Sequence, residues 1–83
     1  MNYLYTPLNY QEGGKTVKAI ISGTSCNVIL LDSNNFTKYK SGKKFTYYGG
    51  HFNYSPALIP IPYSGIWHVV VDGGNAKVSI RIY

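Results

Sequence analysis

Two hydrophobic patterns alternate along this chain. The first is strict alternation of apolar and polar residues, the mark of a strand with one face in a core. In Thr16-Val17-Lys18-Ala19-Ile20-Ile21, the residues Val17, Ala19 and Ile21 share one face, and Thr16, Lys18 and Ile20 share the other. In Ala76-Lys77-Val78-Ser79-Ile80-Arg81-Ile82, the residues Val78, Ile80 and Ile82 oppose Lys77, Ser79 and Arg81. A one-residue slip would expose every apolar group of that strand, so its register is well specified. The second pattern is apolar throughout: Val28-Ile29-Leu30-Leu31 and Ile66-Trp67-His68-Val69-Val70-Val71. Both runs are short for helices and rich in β-branched residues, which predicts central strands covered on both faces, fully or in part.

Three further segments are predicted to be strands: Tyr3-Leu4-Tyr5, Lys44-Phe45-Thr46-Tyr47-Tyr48 and Ala57-Leu58-Ile59-Pro60-Ile61. Pro60 has no N–H to give a ladder, so its strand belongs at an edge or ends there. Turn signals punctuate the runs at Glu12-Gly13-Gly14, Ser22-Gly23, Ser41-Gly42, Gly49-Gly50, Tyr63-Ser64-Gly65 and Asp72-Gly73-Gly74-Asn75. One short helix fits Asn34 to Tyr39, with Asp32 or Ser33 at its start and Gly42 closing it. These elements predict an all-β fold: a small antiparallel β-sandwich or barrel of about six to eight short strands with one helical turn.

Eighty-three residues make one domain, 1–83. A domain of this size buries only about 60% of its unfolded surface, so self-association would add to a thin margin. A single cysteine, Cys26, allows no internal disulfide, and with His51 and His68 it makes no zinc-site pattern. No metal or cofactor is expected. A secreted chain this small would ordinarily carry several cysteine pairs, so a cytoplasmic location is expected. No run reaches the ~20 apolar residues that cross a bilayer, no signal peptide is evident at Met1-Asn2-Tyr3, and a membrane is not an expected partner.

The formal charge of +5 favours anionic partners, and Lys38, Lys40, Lys43 and Lys44 cluster within seven residues. For any one lysine, a solvated surface remains the plainer role. Nine tyrosines suit both a half-buried sheet and a binding interface.

Tyr47-Tyr48-Gly49-Gly50-His51 reads in two ways. It is a strand ending in a turn, or a binding loop whose glycine amides face an anion while the rings stack. Asp32-Ser33-Asn34-Asn35 reads first as a turn and helix cap, and second as part of a ligand site with Lys43 nearby. Tyr47, Tyr48, Gly49, Gly50, His51, Asn34, Asn35 and Lys43 together form the candidate ligand-binding site. Trp67 is expected in the core, and His68 to satisfy the fold, through a backbone carbonyl for example. His68 and Asp72 share a face about 13 Å apart by strand rise, too far to pair. Cys26 lacks an assigned base. Aromatics and lysines alternate in Phe36-Thr37-Lys38-Tyr39-Lys40, but no diagnostic module supports nucleic acid as a partner. No catalytic residue is assigned.

Taken in order, Ile21-Ser22-Gly23, Asn27-Val28, Leu31-Asp32-Ser33-Asn34-Asn35-Phe36, Tyr39-Lys40-Ser41-Gly42, Tyr47-Tyr48-Gly49-Gly50, Ser55-Pro56 and Ser64-Gly65-Ile66-Trp67-His68-Val69-Val70-Val71-Asp72 resemble the bacterial family called domain of unknown function 1883. The resemblance runs nearly end to end. It implies a compact all-β module, found alone or joined to TIR domains, and through them a setting of antiphage immunity and nucleotide-derived signals. It assigns no catalytic residue. The chain departs from the pattern at Ile66, where many members carry histidine before the tryptophan, and at Asp72-Gly73-Gly74, which lacks an intervening residue. The 83 residues hold no TIR domain. The resemblance and the charge together imply a non-enzymatic module that senses or sequesters a small anionic ligand. A protein-interaction adaptor or inhibitor with a tyrosine-rich β surface is the alternative.

Overall fold

The two alternating segments pair with each other. In the computed structural model, which describes residues 3–23, 25–72 and 77–83, β2 (Thr16–Ser22) runs antiparallel to β7 (Lys77–Ile82) and to β5 (Ala57–Pro60). These three strands form one sheet in the order β5-β2-β7. The two apolar runs lie at the centre of the other sheet, as β3 (Cys26–Asp32) and β6 (Gly65–Asp72), flanked by β1 (Tyr3–Gln11) and β4 (Tyr48–Phe52) in the order β1-β6-β3-β4. The architecture is a seven-stranded antiparallel sandwich with one helix, α1 (Ser33–Lys40).

Side-chain alternation explains which residues the sheets enclose. Val17 and Ala19 of β2, Cys26, Val28 and Leu30 of β3, Ala57 and Ile59 of β5, and Trp67, Val69 and Val71 of β6 form the interior between the sheets. Each fully enclosed aliphatic chain there contributes about 1.5–3 kcal/mol. Trp67 is completely buried, and its indole N–H donates to the Tyr63 carbonyl at 2.9 Å. The opposite faces of β3 and β6 are covered as well. Ile29, Leu31 and Val70 pack under Phe36 and Tyr39 of α1, with Phe45 beside them. This second layer is why both runs read as apolar throughout.

The helix follows β3 directly. Asp32 is its N-cap, accepting from the Asn35 backbone N–H at 2.8 Å, so the cap falls one residue before Ser33. At the other end, Gly42 takes a φ of 72°, and the Lys43 and Gly42 amides donate to the Lys38 and Tyr39 carbonyls at 3.0 and 3.3 Å. This is a Schellman closure, which needs the left-handed conformation glycine adopts without steric cost.

Three expectations are corrected. The strand expected over Lys44–Tyr48 is one only at its last residue: the ladder with β3 starts at Tyr48, and Phe45 packs on Tyr39 of the helix. Gly49 and Gly50 are not a turn but lie within β4, paired with Ile29 and Val28. The first strand is longer than Tyr3-Leu4-Tyr5, running to Gln11 through a bulge where Asn9 has a φ of 61°. Pro60 does lie on an edge strand. The turn expected at Asp72-Gly73-Gly74-Asn75 falls largely on 73–75, outside the described residues.

Candidate functional site

The helix covers only part of the outer face of the four-stranded sheet. Register places Asn27 of β3 opposite both His51 of β4 and Asp72 of β6. All three belong to the face away from the sandwich interior, since Cys26 and Val28 on either side of Asn27 point inward. Directly opposed residues on one face have Cβ atoms about 4.5–5.5 Å apart. Asp72, Asn27 and His51 therefore make a polar row across three strands. Beside it, Ile29 and the aromatic rings of Tyr39, Phe45 and Tyr47 raise a wall. Tyr39 meets Phe45 edge-on at 5.2 Å, and Phe45 meets Tyr47 at 5.7 Å. Row and wall, with Gly50, line an open groove of about 390 Å³. That volume lies within the range of small-ligand sites, and an apolar wall with few polar groups is their usual chemistry.

Within the row, His51 Nδ1 lies 3.2 Å from Asn27 Oδ1. An amide oxygen only accepts, so Nδ1 is the donor of this pair. The groove thus offers an imidazole, a primary amide, a carboxylate and three ring surfaces. A second hollow of about 120 Å³, between Ile21 and Tyr54, is too small for more than a few atoms.

Of the residues the sequence nominated, Tyr47, Gly50 and His51 meet in this groove. Tyr48 points elsewhere, meeting Trp67 edge-on at 5.9 Å. At Gly49, an added Cβ would lie 2.4 Å from the Val28 carbonyl oxygen, so its role is close approach of backbone. Asn35 acts as a brace: its side chain donates to Asp32 Oδ1 at 2.9 Å and accepts from the Thr46 amide at 2.8 Å. It thereby holds the segment that carries Phe45 and Tyr47. Asn34 is exposed on the first turn of α1, and Lys43 is exposed past its end. Neither lines the groove. Asn27, Ile29 and Asp72 were not foreseen, because strand pairing places them; nor were Tyr39 and Phe45, which meet through packing of the helix and residues 43–47 on the sheet.

His68 lies on the same outer face but beneath the helix. Its two ring nitrogens meet the Tyr5 hydroxyl at 2.8 Å and Ser33 Oγ at 3.0 Å, in place of a backbone carbonyl. Phe36 stacks on both Tyr5 and His68 at 4.6 Å, and Lys40 Nζ sits 4.7 Å from the Phe36 ring centre. Burial, and then the Lys40 charge, lower the His68 pKa, while Asp32 opposes them. A serine beside a histidine invites comparison with a nucleophile and its base. Here the third group is a phenol, and the surroundings oppose the imidazolium such a base must become. Cys26 is buried in the interior, and burial pushes its thiol pKa up, which works against a thiolate nucleophile. Among the described residues, no group of three histidine, cysteine or acidic side chains is placed to hold a metal, and no helix is long and apolar enough to cross a membrane.

An antiparallel sandwich with a groove on one outer face is the class of protein these observations define. Residues 1–83 match the model of the family described as domain of unknown function (DUF1883), and the chain belongs to that family. No curated protein and no solved structure matches the chain.

Proposed function

We propose that this chain is a non-enzymatic binding module that senses or sequesters a small anionic, nucleotide-derived ligand, in a TIR-linked immunity setting in bacteria. The observation that carries the reading is the groove: an aromatic wall from Tyr39, Phe45 and Tyr47 facing a polar row of Asp72, Asn27 and His51. Aromatic rings stack on a nucleobase by about 1–3 kcal/mol per base. A carboxylate, an amide and an imidazole suit the N–H and hydroxyl groups of a base and ribose. Asp72 repels a phosphate placed in the groove itself. In this reading the phosphates therefore point outward, towards the side where Lys43 and Lys44 precede Phe45. The +5 field of the chain draws the anion in.

Titration calorimetry against NAD, ADP-ribose and cyclic ADP-ribose isomers tests this reading. Saturable heat that disappears in Tyr47→Ala and His51→Ala is the expected result. No heat from any of these nucleotides at millimolar concentration overturns it.

One observation favours the second reading, an adaptor or inhibitor acting on a protein. Tyr5, Tyr10, Tyr47, Tyr48, Tyr54, Tyr63 and Tyr83 are all exposed, and tyrosine is enriched at protein interfaces. The groove gives the small-ligand reading the advantage.

A further inference from the structure

The sandwich has four edge strands, and three of them are blunted. β1 carries Pro7 and the bulge at Asn9. β4 has five residues, two of them Gly49 and Gly50, and β5 has four and ends on Pro60. Proline, bulges and short length are backbone devices that stop an edge from recruiting another strand, and charged side chains are a further one, the one β7 has in Lys77 and Arg81. β7 has six residues, no proline, no glycine and no bulge, and among the described residues it pairs on one side only, with β2.

The ladder shows which backbone groups of β7 are open. Thr16 and Tyr83 exchange both N–H···O bonds, each at 3.0 Å. In an antiparallel ladder such pairs alternate with non-bonded ones, so Lys18 with Arg81, Ile20 with Ser79 and Ser22 with Lys77 are also bonded pairs. The N–H and C=O groups of Val78, Ile80 and Ile82 therefore point away from β2, to the open side. The side chains of these same three residues pack against the core yet are only half-buried. The apolar layer is unfinished where the hydrogen-bonding edge is open.

The other face of β7 supplies charge. Lys77, Ser79 and Arg81 are exposed, and Lys18 stands directly opposite Arg81. Like charges opposed across a strand pair are destabilising. The three acids of the chain lie elsewhere: Glu12 in the turn after β1, Asp32 at the helix cap and Asp72 on β6 of the other sheet.

We infer that β7 accepts an extended segment of a partner protein as an additional strand. Alternate residues of that segment are apolar, completing the row of Val78, Ile80 and Ile82. The residues between them are acidic, facing Lys77 and Arg81. Strand addition of this kind takes affinity from main-chain bonds and specificity from alternate side chains. A second copy of the chain brings no acidic residue to this edge, and antiparallel pairing of β7 about Ser79 would set Lys77 against Arg81. The same two cations that repel a like strand select an acidic one. The groove takes no part in this contact.

A dye-labelled eight-residue peptide alternating valine and glutamate serves as the probe. Its controls are a peptide of the same composition in two blocks, an alternating valine–lysine peptide and oligothymidine. The expected result is saturable binding of the alternating acidic peptide, at least ten-fold tighter than each control. The amides of Val78, Ile80 and Ile82 should gain protection from hydrogen exchange in the wild-type chain. The Lys77→Glu/Arg81→Glu variant should exchange its preference for the valine–lysine peptide, and Tyr47→Ala should leave peptide binding unchanged. Failure to bind at millimolar concentration overturns the inference. Equal binding of the blocked peptide or of oligothymidine reduces the edge to a plain positive charge, and a dimer by light scattering without peptide gives the edge to a second copy; either result overturns it too.

Discussion

The phenol of Tyr63 donates a hydrogen bond to the carboxylate of Asp32, the group that caps α1. The contact ties the segment entering β6 to the junction of β3 and the helix. Each partner shifts the other. The bond to Asp32 pushes the Tyr63 pKa up to about 12. Burial raises the Asp32 pKa, but the bonds from Tyr63 and Asn35 and the Lys38 charge outweigh it and hold it below the ordinary carboxylate value. Because the Tyr63 value is raised, its stabilisation is fully present below pH ~10 and is lost as pH rises towards about 12. Because the Asp32 value is lowered, its stabilisation is present above pH ~3.9 and is lost as pH falls through the folded value. Ultraviolet titration should find one phenol ionising near pH 12, absent in Tyr63→Phe. That variant should lose about 1 kcal/mol in thermal melts at neutral pH.

His68 gives a second dependence on pH. With its folded value below the free value of about 6.5, the neutral ring stabilises the fold. This contribution is complete above pH ~6.5 and is lost as pH falls from there through the folded value. Lys40→Met removes the smaller of the two lowering causes and leaves burial. The imidazole titration followed by NMR should therefore move part of the way back towards 6.5. No movement would deny Lys40 any influence on the ring.

Gly49 and Gly50 separate two reasons for keeping a glycine. Gly49 combines a φ of 103° with a Cβ position 2.4 Å from the Val28 oxygen and 2.9 Å from Ile59 Cδ1. Gly50 has a φ of 148° and open space around it. Gly50→Ala should cost only backbone strain, about 1–2 kcal/mol. Gly49→Ala adds a clash with backbone that has no room to move and should cost more than about 3 kcal/mol. Urea denaturation of the two variants, with equal losses, would remove the distinction.

Asn35 should act on the groove without touching it. Asn35→Ala leaves the Thr46 amide without its acceptor and removes one tie of residues 43–47 to the helix, with the Phe45–Tyr39 contact kept. The cost to stability should be about 1–3 kcal/mol. Hydrogen exchange at Thr46 should accelerate, and nucleotide heat should weaken while the Tyr47 and His51 side chains remain in place. Unchanged exchange at Thr46 would show that the brace is not needed.

How far the chain could be read follows from where its patterns were local. β2, β6 and β7 declare themselves because alternation or a β-branched run carries the whole signal. β1 runs on past Tyr5 through Pro7 and a bulge at Asn9, where the alternation breaks and carries no signal. Phe45 and Tyr47 alternate like a strand, yet their partner is Tyr39 on the helix, a tertiary contact that no local pattern contains. Gly49-Gly50 reads as a turn because nothing nearby announces the backbone of Val28. The same division holds at the groove. Tyr47, Gly50 and His51 sit close together in sequence and were legible, whereas Asn27 and Asp72 join them only through the pairing of three strands.

The row of Asp72, Asn27 and His51 exists only while three separate strands are held side by side. Pulling any one away scatters the recognition groups along an extended chain. A molecule that grips all three binds the native state alone, so its concentration acts on the melting temperature. At one hundred times its dissociation constant it would add about 2.7 kcal/mol, a large share of what an 83-residue fold holds in reserve. Heat resistance that climbs with dose would be this row's signature, readable before anyone knows the molecule's chemistry.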